Sequence, residues 1–276
     1  MGNKEKIREQ VKLLNPIDDA LFTVMAKKQA FCQEILRVLL EEPNLEVITN
    51  TPQKTFKNLE GRSIRVDLVC DLKSGQTVNL EVEKNSLNHV KRVRYHSSIL
   101  TTNVTDPGTD FDDIPELIIL YLTKSDIFHL KQAKYYVDEV VRGVNVKVST
   151  GCEKIFINAA IDDGSNISKL MKIFTIDNAY DKNLFPETCA LKYHYKETEE
   201  GVNEMSDIIE KLFAEDLNKA REEGREDGRE EGRNEGRNEE RLNILSNILE
   251  SGMTPENLSK ITKIPISEIQ LLHANQ

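Results

Sequence analysis

The chain has 276 residues, of which 38% are hydrophobic and 30% charged, so it is long enough for one well-packed core and an additional segment. No apolar run approaches the ~20 residues that a membrane-spanning helix needs, and the N-terminus lacks an apolar signal segment. We therefore expect an intracellular, cytoplasmic protein without a membrane partner. The four cysteines are far apart and form no Cys-x-x-Cys pair, which argues against a disulfide framework and a zinc ribbon. Since the histidines are also scattered, any metal ligands are expected to be carboxylates.

The formal net charge of −10 is unevenly distributed along the chain. Residues 1–200 contain 27 Lys and Arg against 30 Asp and Glu, whereas residues 201–276 contain 10 against 17. The first part is thus nearly neutral and the tail carries most of the acidity. The overall charge does not exclude a basic surface on the first part of the chain.

The first half of the chain alternates between helical and extended patterns. Apolar residues at helical spacing predict one or two helices within residues 15–42, and residues 45–60 are predicted to be extended. Residues 62–84 predict two strands joined by a tight turn. Residues 87–102 predict an amphipathic helix.

The same alternation continues to about residue 175. Residues 106–113 are rich in turn formers and precede the apolar run 115–123, which suits a strand buried on both faces. Further strands are predicted at 135–141 and 153–160, and a helix at 165–175 with Ser165 as its N-cap. Strands interleaved with helices predict an α/β fold with a mixed sheet.

The predicted hairpin at 62–84 contains carboxylates within apolar runs. Because side chains alternate across a strand, matching apolar faces requires an odd-numbered loop, and Lys73-Ser74-Gly75 fits with Gly75 in the left-handed conformation. This register places Asp67 directly opposite Glu81, with their Cβ atoms ~5 Å apart. Such a pair is stable if a cation lies between the carboxylates or one is protonated, and a hard divalent ion prefers oxygen ligands. The alternative is a solvated sheet face on which acids cost little.

After about residue 200 the composition changes, and residues 221–241 repeat every four positions with Gly and Arg. Four glycines in a lone helix cost about 1 kcal/mol each relative to Ala, and like charges fall at i,i+4 spacing. A glycine stripe would, however, let two helix backbones approach closely. Two interpretations remain open: a self-associating helix that makes a homo-oligomer, and a flexible charged spacer.

The last 35 residues predict three short helices. Gly252 closes the first, Thr254-Pro255 begins the second, and Pro265 and Ser267 open the third. This is the pattern of a small helix-turn-helix unit. DNA binding and protein contact both remain open, since the segment 242–276 has only two cations for a phosphate-binding face.

An ordered series of segments in this sequence resembles the PD-(D/E)XK nuclease superfamily, and within it the bacterial recombination-promoting nuclease and putative transposase family. The segments are "NPIDDALFTVMA", "GRSIRVDLVCD", "NLEVEK", "KRVRYHSSIL", "LIILYLTKSDIF" and "KIFINAA". The resemblance runs from about Asn15 to Phe174 and resumes in the C-terminal segment. It implies a restriction-endonuclease-like mixed sheet flanked by helices and a metal-dependent DNA endonuclease in a recombination, transposition or mobile-element context. The chain would divide into a nuclease-like domain (1–200), a charged helical repeat or linker (201–241) and a helix-turn-helix-like module (242–276).

The resemblance also implies roles for individual acids. Asp67 and Glu81 match the ligands of Mg²⁺ or Mn²⁺, and Asp19 matches an acid that reaches toward the site from the first helix. Glu83 falls where the superfamily usually has Lys and this branch often has Gln, so it would bind a second ion or act as a base toward a metal-bound water. Lys84 is one residue out of register and is expected to point to the other face.

The helix predicted after the hairpin has cations that suit a phosphate backbone. Lys91, Arg94, Tyr95 and Ser98 fall at i, i+3, i+4 and i+7 on one face, and Arg92 flanks them. The alternative is that Tyr95 packs in the core and the cations form a solvated face.

Two other functions compete with the endonuclease. The first is a catalytically inactive relative with the nuclease fold that acts as a DNA- or protein-binding module, which Glu83 in place of Lys or Gln keeps open. The second is a self-assembling structural protein built on the Gly/Arg repeat.

Overall fold

The computed structural model describes residues 3–58, 61–84, 89–267 and 269, which form two compact units that divide between Ile209 and Glu210. The predicted division into 1–200, 201–241 and 242–276 stays a prediction. In the parts of the chain that the structure describes, no helix combines the length and hydropathy that crossing a membrane requires. The helices before residue 200 are α1 (Asn3–Lys12), α2 (Asp19–Met25), α3 (Gln29–Leu40), α4 (His89–Val104), α5 (Asn166–Thr175) and α6 (Pro186–Glu197).

The first unit contains a mixed six-stranded sheet with the strand order β1-β2-β3-β4-β8-β5. The strands β1, β2 and β3 are antiparallel, β3, β4 and β8 are parallel, and β5 pairs antiparallel with β8. The short strands β6 and β7 form a separate hairpin. The predicted α/β fold with a mixed sheet flanked by helices is confirmed. The strands are β1 (Val47–Phe56), β2 (Ile64–Leu72), β3 (Thr77–Glu83), β4 (Leu117–Thr123), β5 (Lys134–Tyr136), β6 (Glu139–Val141), β7 (Val146–Val148) and β8 (Cys152–Asn158).

The sheet separates two hydrophobic clusters. On one face, sheet residues such as Leu120 pack with Leu21 of α2, Ile35 of α3 and Met171 of α5. On the other face, Tyr121 belongs to the cluster that contains residues of α4. Every residue of β4 is buried, which confirms the prediction of a strand covered on both faces. The helix α4 therefore covers the face on which the acids of the hairpin lie.

The hairpin of β2 and β3 closes with the predicted three-residue loop. The backbone N–H of Leu72 donates to the carbonyl of Gln76 at 2.9 Å, and Gly75 has φ +91°. A residue that has a side chain rarely adopts this left-handed backbone conformation, which is why glycine suits the last loop position. The residue pairs Leu68↔Leu80 and Cys70↔Val78 confirm the predicted register.

Several elements follow the predictions closely, and others were missed. The region 15–42 contains two helices, and the Ser165 side chain caps α5 by accepting from the N–H of Ser168 at 3.1 Å. The predicted strand at 135–141 is divided between β5 and β6. The elements α1, α6 and β7 were not predicted.

The helix α7 (Glu199–Glu250) is continuous through the Gly/Arg repeat, and α8 (Pro255–Thr262) follows it. Gly252 has φ +96°, and the Thr254 side chain caps α8 by accepting from the N–H of Asn257 at 3.4 Å. The second unit has its own small hydrophobic cluster, which includes Leu249 and Leu258. The predicted third helix falls partly outside the described residues.

Candidate functional site

A row of polar side chains crosses four neighbouring strands on the α4 side of the sheet. The β2–β3 register, continued by one residue from Leu68↔Leu80, places Asp67 opposite Glu81. Glu81 is aligned with Tyr121 in the parallel ladder of β3 and β4. The β1–β2 register places Gln53 opposite Asp67, between the pairs Pro52↔Leu68 and Lys54↔Val66.

Asp67 lies half-buried in the middle of this row. Its Oδ2 accepts a hydrogen bond of 2.8 Å from the backbone N–H of Val82, and Gln53 Nε2 lies 3.4 Å from its Oδ1. Burial raises the pKa of Asp67 from 3.8 to about 7, and repulsion from Glu81 adds to the shift. The Val82 N–H opposes the shift but does not cancel it. Asp67 is therefore protonated in a large fraction of molecules near neutral pH.

Glu81 is 1% exposed, and both of its oxygens contact polar groups. Its Oε1 accepts from Asn79 Nδ2 at 3.2 Å and lies 3.3 Å from His96 Nδ1. Its Oε2 accepts from Arg92 Nη2 at 3.3 Å. Three side chains from two elements thus hold one buried carboxylate.

Glu83 is the next residue on the same face of β3 and its side chain is 21% exposed. Its Oε2 accepts from Arg92 Nη1 at 2.8 Å. A single guanidinium from α4 therefore connects the carboxylates of Glu81 and Glu83. The sequence predicted Arg92 beside a phosphate-binding face of α4, whereas the structure places it against the acids.

Asp19 also reaches the row, and Gln53 makes the connection. Gln53 Nε2 donates to Asp19 Oδ1 at 2.9 Å and to Thr23 Oγ1 at 3.0 Å. Gln53 has φ +53°, a conformation that is uncommon for a residue with a side chain. Sequence reasoning missed Gln53, because a polar residue on an edge strand carries no periodic signal.

Asp18 and Lys84 lie apart from this group. Lys84 Nζ donates to Asp18 Oδ1 at 2.6 Å, and Asp18 Oδ2 accepts from the backbone N–H of Asn15 at 2.8 Å. Lys84 is therefore engaged by Asp18 and not by the acids of the row. Of the two neighbouring aspartates, it is Asp19 that the structure brings to the site.

The outer face of α4 carries the other residues predicted for DNA contact. Lys91, Arg94 and Ser98 are exposed, and Tyr95 is 36% exposed. The Tyr95 hydroxyl donates to the carbonyl of Arg62 at 2.6 Å, which joins α4 to the chain before β2. Tyr95 therefore lies at the surface and not in the core. Sequence reasoning missed His96, which lies on the buried face of α4.

The carboxylate oxygens of the row suit a hard divalent ion as ligands. In this structure the same oxygens accept hydrogen bonds from protein groups. In the described ranges, no group of three or more His, Cys, Asp or Glu side chains is arranged to hold a metal ion. The oxygens are nonetheless those of carboxylates, the ligands that Mg²⁺ and Mn²⁺ prefer. The Oδ1 atom of Asn79, beside Glu81, is buried without a hydrogen-bond partner among the described residues. A metal ligand set that includes Glu81 and Glu83 requires the Arg92 guanidinium to move.

Comparison of the chain with protein-family models, with curated proteins and with solved structures found no match.

Proposed function

We propose that this chain is a metal-dependent DNA endonuclease that acts in a recombination, transposition or mobile-element context. The observation that carries the proposal is the placement of Asp67 opposite Glu81 on the sheet face that α4 covers, with Asp19 and Glu83 beside them. The raised pKa of Asp67 indicates a position where a positive charge is favourable. The mixed sheet flanked by helices agrees with the PD-(D/E)XK fold that the resemblance implies.

Each residue of the row has a role in this proposal. Asp67 and Glu81 hold the Mg²⁺ or Mn²⁺ ion, and Asn79 and His96 fix the Glu81 carboxylate. The ion supplies Lewis acidity and lowers the pKa of a bound water. Glu83 takes the place of the usual Lys or Gln and accepts the proton of the attacking water, since a carboxylate cannot stabilise a developing negative charge. The resemblance implies products with a 5′-phosphate.

The outer face of α4 binds the DNA backbone in this proposal. Lys91 and Arg94 supply cations, and Tyr95 holds the backbone of Arg62 close to them. Contacts of this kind are independent of base sequence and weaken with salt. The target sequence is therefore not encoded by these residues.

A second candidate function is that of an inactive relative that binds DNA or protein through the same fold. It is favoured by the ion pairs of Arg92 with Glu81 and Glu83, which satisfy both acids without a metal. The discriminating property is divalent-ion binding that depends on Asp67.

The deciding experiment is cleavage of supercoiled plasmid in Mg²⁺ and separately in Mn²⁺. Wild type is compared with Asp67→Asn and Glu81→Gln, and with Asp71→Asn as the control. Asp71 lies on the same strand but is exposed and accepts from Thr49 and Thr77. We expect metal-dependent nicking by wild type and Asp71→Asn, and none by the other two. Absence of cleavage and of ion binding in folded wild type would favour the inactive relative.

The Gly/Arg repeat is the part of the proposal that concerns assembly. At Gly224, Gly228, Gly232 and Gly236, the described part of the chain, apart from the adjoining helix backbone, has no atom within 4 Å of the position that a Cβ would take. A second copy of the helix would thus meet bare backbone along this stripe, with Arg of one chain opposite Glu of the other.

A further inference from the structure

We propose that Arg92 and the divalent ion compete for the carboxylate of Glu81, and that Arg92, once displaced from Glu81 and Glu83, binds a phosphate of the nucleic acid. The proposal rests on the proposed function and adds a rule to it: the metal and the DNA strengthen each other's binding. Arg92 is the residue that couples the two.

The geometry places one guanidinium on two acids that alternate along the same strand. Arg92 Nη2 lies 3.3 Å from Glu81 Oε2, and Arg92 Nη1 lies 2.8 Å from Glu83 Oε2. Because Glu81 is almost fully buried, its charge is poorly screened by water. The acidic groups Glu81, Glu83 and Asp67 all favour the charged form of Arg92.

A divalent ion held by Glu81 would lie within a few ångströms of this guanidinium. Two cations at that separation repel each other, and the buried carboxylate of Glu81 between them is poorly screened by water. The oxygen that Arg92 uses on Glu81 is also one that a metal ion needs. The ion and the guanidinium therefore exclude each other, and metal binding includes the cost of moving Arg92.

Arg92 is able to leave because its side chain is 41% exposed. Arg92 is near the N-terminal end of α4. In sequence it stands between Lys91 and Arg94, and both of these side chains are exposed. The guanidinium fork matches a phosphate as well as it matches a carboxylate. A phosphate on the outer face of α4 would thus draw Arg92 away from the acids and lower the cost of metal binding.

By linkage, the coupling must be the same in both directions. DNA raises the affinity for the metal by the factor by which the metal raises the affinity for DNA. Arg92→Gln removes both the competitor and the coupling.

The test is calorimetric titration of Mn²⁺ into the full-length protein, with and without a short DNA duplex whose phosphorothioate linkages slow hydrolysis. In the absence of DNA, we expect Arg92→Gln to bind Mn²⁺ more tightly than wild type by roughly 5–150-fold, the usual range of coupling between two sites. DNA should raise the affinity of wild type by a similar factor and leave that of Arg92→Gln nearly unchanged. Lys84→Gln is the matched control, because it removes a cation next to Glu83 that pairs with Asp18.

The outcomes separate the two proposals. If wild type binds Mn²⁺ and cleaves DNA but Arg92→Gln binds the ion equally or more weakly, the coupling is wrong and the endonuclease stands. If wild type binds no Mn²⁺ with or without DNA, both are wrong. Should Arg92→Gln fail to fold, Arg92→Lys is used instead. Lys lacks the fork that bridges two acids, so its Mn²⁺ affinity without DNA should exceed that of wild type, and an equal or lower affinity overturns the coupling.

Discussion

The Asp67 carboxylate accepts a 2.8 Å hydrogen bond from the backbone N–H of Val82, the residue after Glu81 on the neighbouring strand. This bond directs the Asp67 side chain toward β3 and therefore toward the charge of Glu81. Two acids are thus held together on a face where burial already disfavours ionisation. The protein tolerates a destabilising charge at this point, which is common at functional sites.

Asp67→Asn should be more stable than wild type at pH 8. The folded state raises the pKa of Asp67 from 3.8 to about 7, so ionisation penalises folding by up to about 4 kcal/mol above pH 7. The penalty is absent below pH 3.8, where the carboxyl is protonated in both states, and it grows as the pH rises from 3.8 to 7. Asn avoids it and keeps an acceptor for the Val82 N–H. Urea unfolding at several pH values measures the difference.

The comparison of Asp67→Asn with Asp71→Asn controls for the general effect of removing an acid from β2. Asp71 is exposed, so Asp71→Asn should not show the gain in stability with rising pH that is expected of Asp67→Asn. A stability difference for Asp67→Asn that is the same at pH 4 and pH 8 would contradict the assignment of the charge penalty to Asp67.

Gln53→Glu should destabilise the protein at pH 8 by about 1–3 kcal/mol, since it replaces a half-buried donor by an acid. The Gln53 amide donates to Asp19 Oδ1 at 2.9 Å, and a Glu at this position would repel both Asp19 and Asp67. The loss should fade as the pH falls below about 4, because the new carboxyl is then protonated. Thermal unfolding at pH 4 and pH 8 is the measurement.

Gln76→Glu is the matched control for Gln53→Glu. Gln76 is also half-buried and donates its amide to an acid, Glu116, but Glu116 is exposed, whereas Gln53 also contacts the half-buried Asp67. Exposed charges interact weakly, so this change should cost well under 1 kcal/mol. Equal losses of stability for the two variants would mean that the acids around Gln53 do not repel an added charge more strongly than the exposed Glu116 does.

The hairpin could be predicted from the sequence because its signals are local. The alternation of apolar residues and the glycine at position 75 are enough to fix the loop length, and the loop length fixes the register of Asp67 and Glu81. The position of Asp19 beside them depends on how α2 packs on the sheet. That prediction came from the resemblance of the segments and not from spacing.

The faces of α4 were predicted only in part, because charge was used as the sign of exposure. Lys91 and Arg94 are exposed as expected, but Arg92 turns to the acids of β3. His96 follows Arg92 by four residues and meets Glu81 on the same side of the helix. An arginine and a histidine at i and i+4, in a helix that follows a strand with acids in an apolar run, form the pattern that could have predicted their contact with Glu81.

The helix α6 was missed for a related reason, since two of its buried positions are lysines. Lys192 and Lys196 are buried between α6 and the end of α5, where an apolar pattern would have been recognised. Lys196 Nζ donates to Asp177 Oδ1 at 3.1 Å, and Lys192 meets backbone carbonyls. Polar partners, which the sequence does not show, make these lysines part of the interior.

Lys192→Met should destabilise the protein by about 1–3 kcal/mol at pH 7, because it leaves buried carbonyls without a donor. Lys192 is 0% exposed and its Nζ donates to the carbonyls of Ile173 at 2.8 Å and Ile176 at 2.6 Å. Burial lowers the pKa of Lys192 from 10.5 to about 8, and the charge of Lys196 adds to the effect. The charge of wild-type Lys192 thus penalises folding fully below pH 8, and the penalty is lost as the pH rises toward 10.5.

The difference in unfolding free energy between wild type and Lys192→Met should therefore increase as the pH rises from 7 to 9.5. Urea unfolding measures this difference. Lys169→Met, which changes an exposed lysine on α5, is the control and should show no such trend. A stability difference that stays constant with pH would mean that the pKa of Lys192 in the folded protein is that of an ordinary lysine.

Alanine at all four repeat glycines (Gly224, Gly228, Gly232 and Gly236) should raise the helix content of α7 and abolish the proposed self-association. Each substitution favours an isolated helix by up to about 1 kcal/mol, because alanine loses less backbone entropy than glycine. Apart from the adjoining helix backbone, no described atom lies within 4 Å of the added methyl groups, so they fit without a clash there. A second helix packed on the stripe would be pushed away by the same methyl groups.

Circular dichroism and sedimentation velocity, run on the same full-length samples, separate these effects. Wild type should sediment as an assembly that the quadruple variant dissociates, although the variant is the more helical of the two. Gly201→Ala is the control, since the added methyl would collide with the carbonyl of His194 and should destabilise the first unit without changing the assembly. Identical sedimentation of wild type and the quadruple variant would show that the repeat does not hold the chains together, and α7 would then serve as a polar spacer to the C-terminal helices.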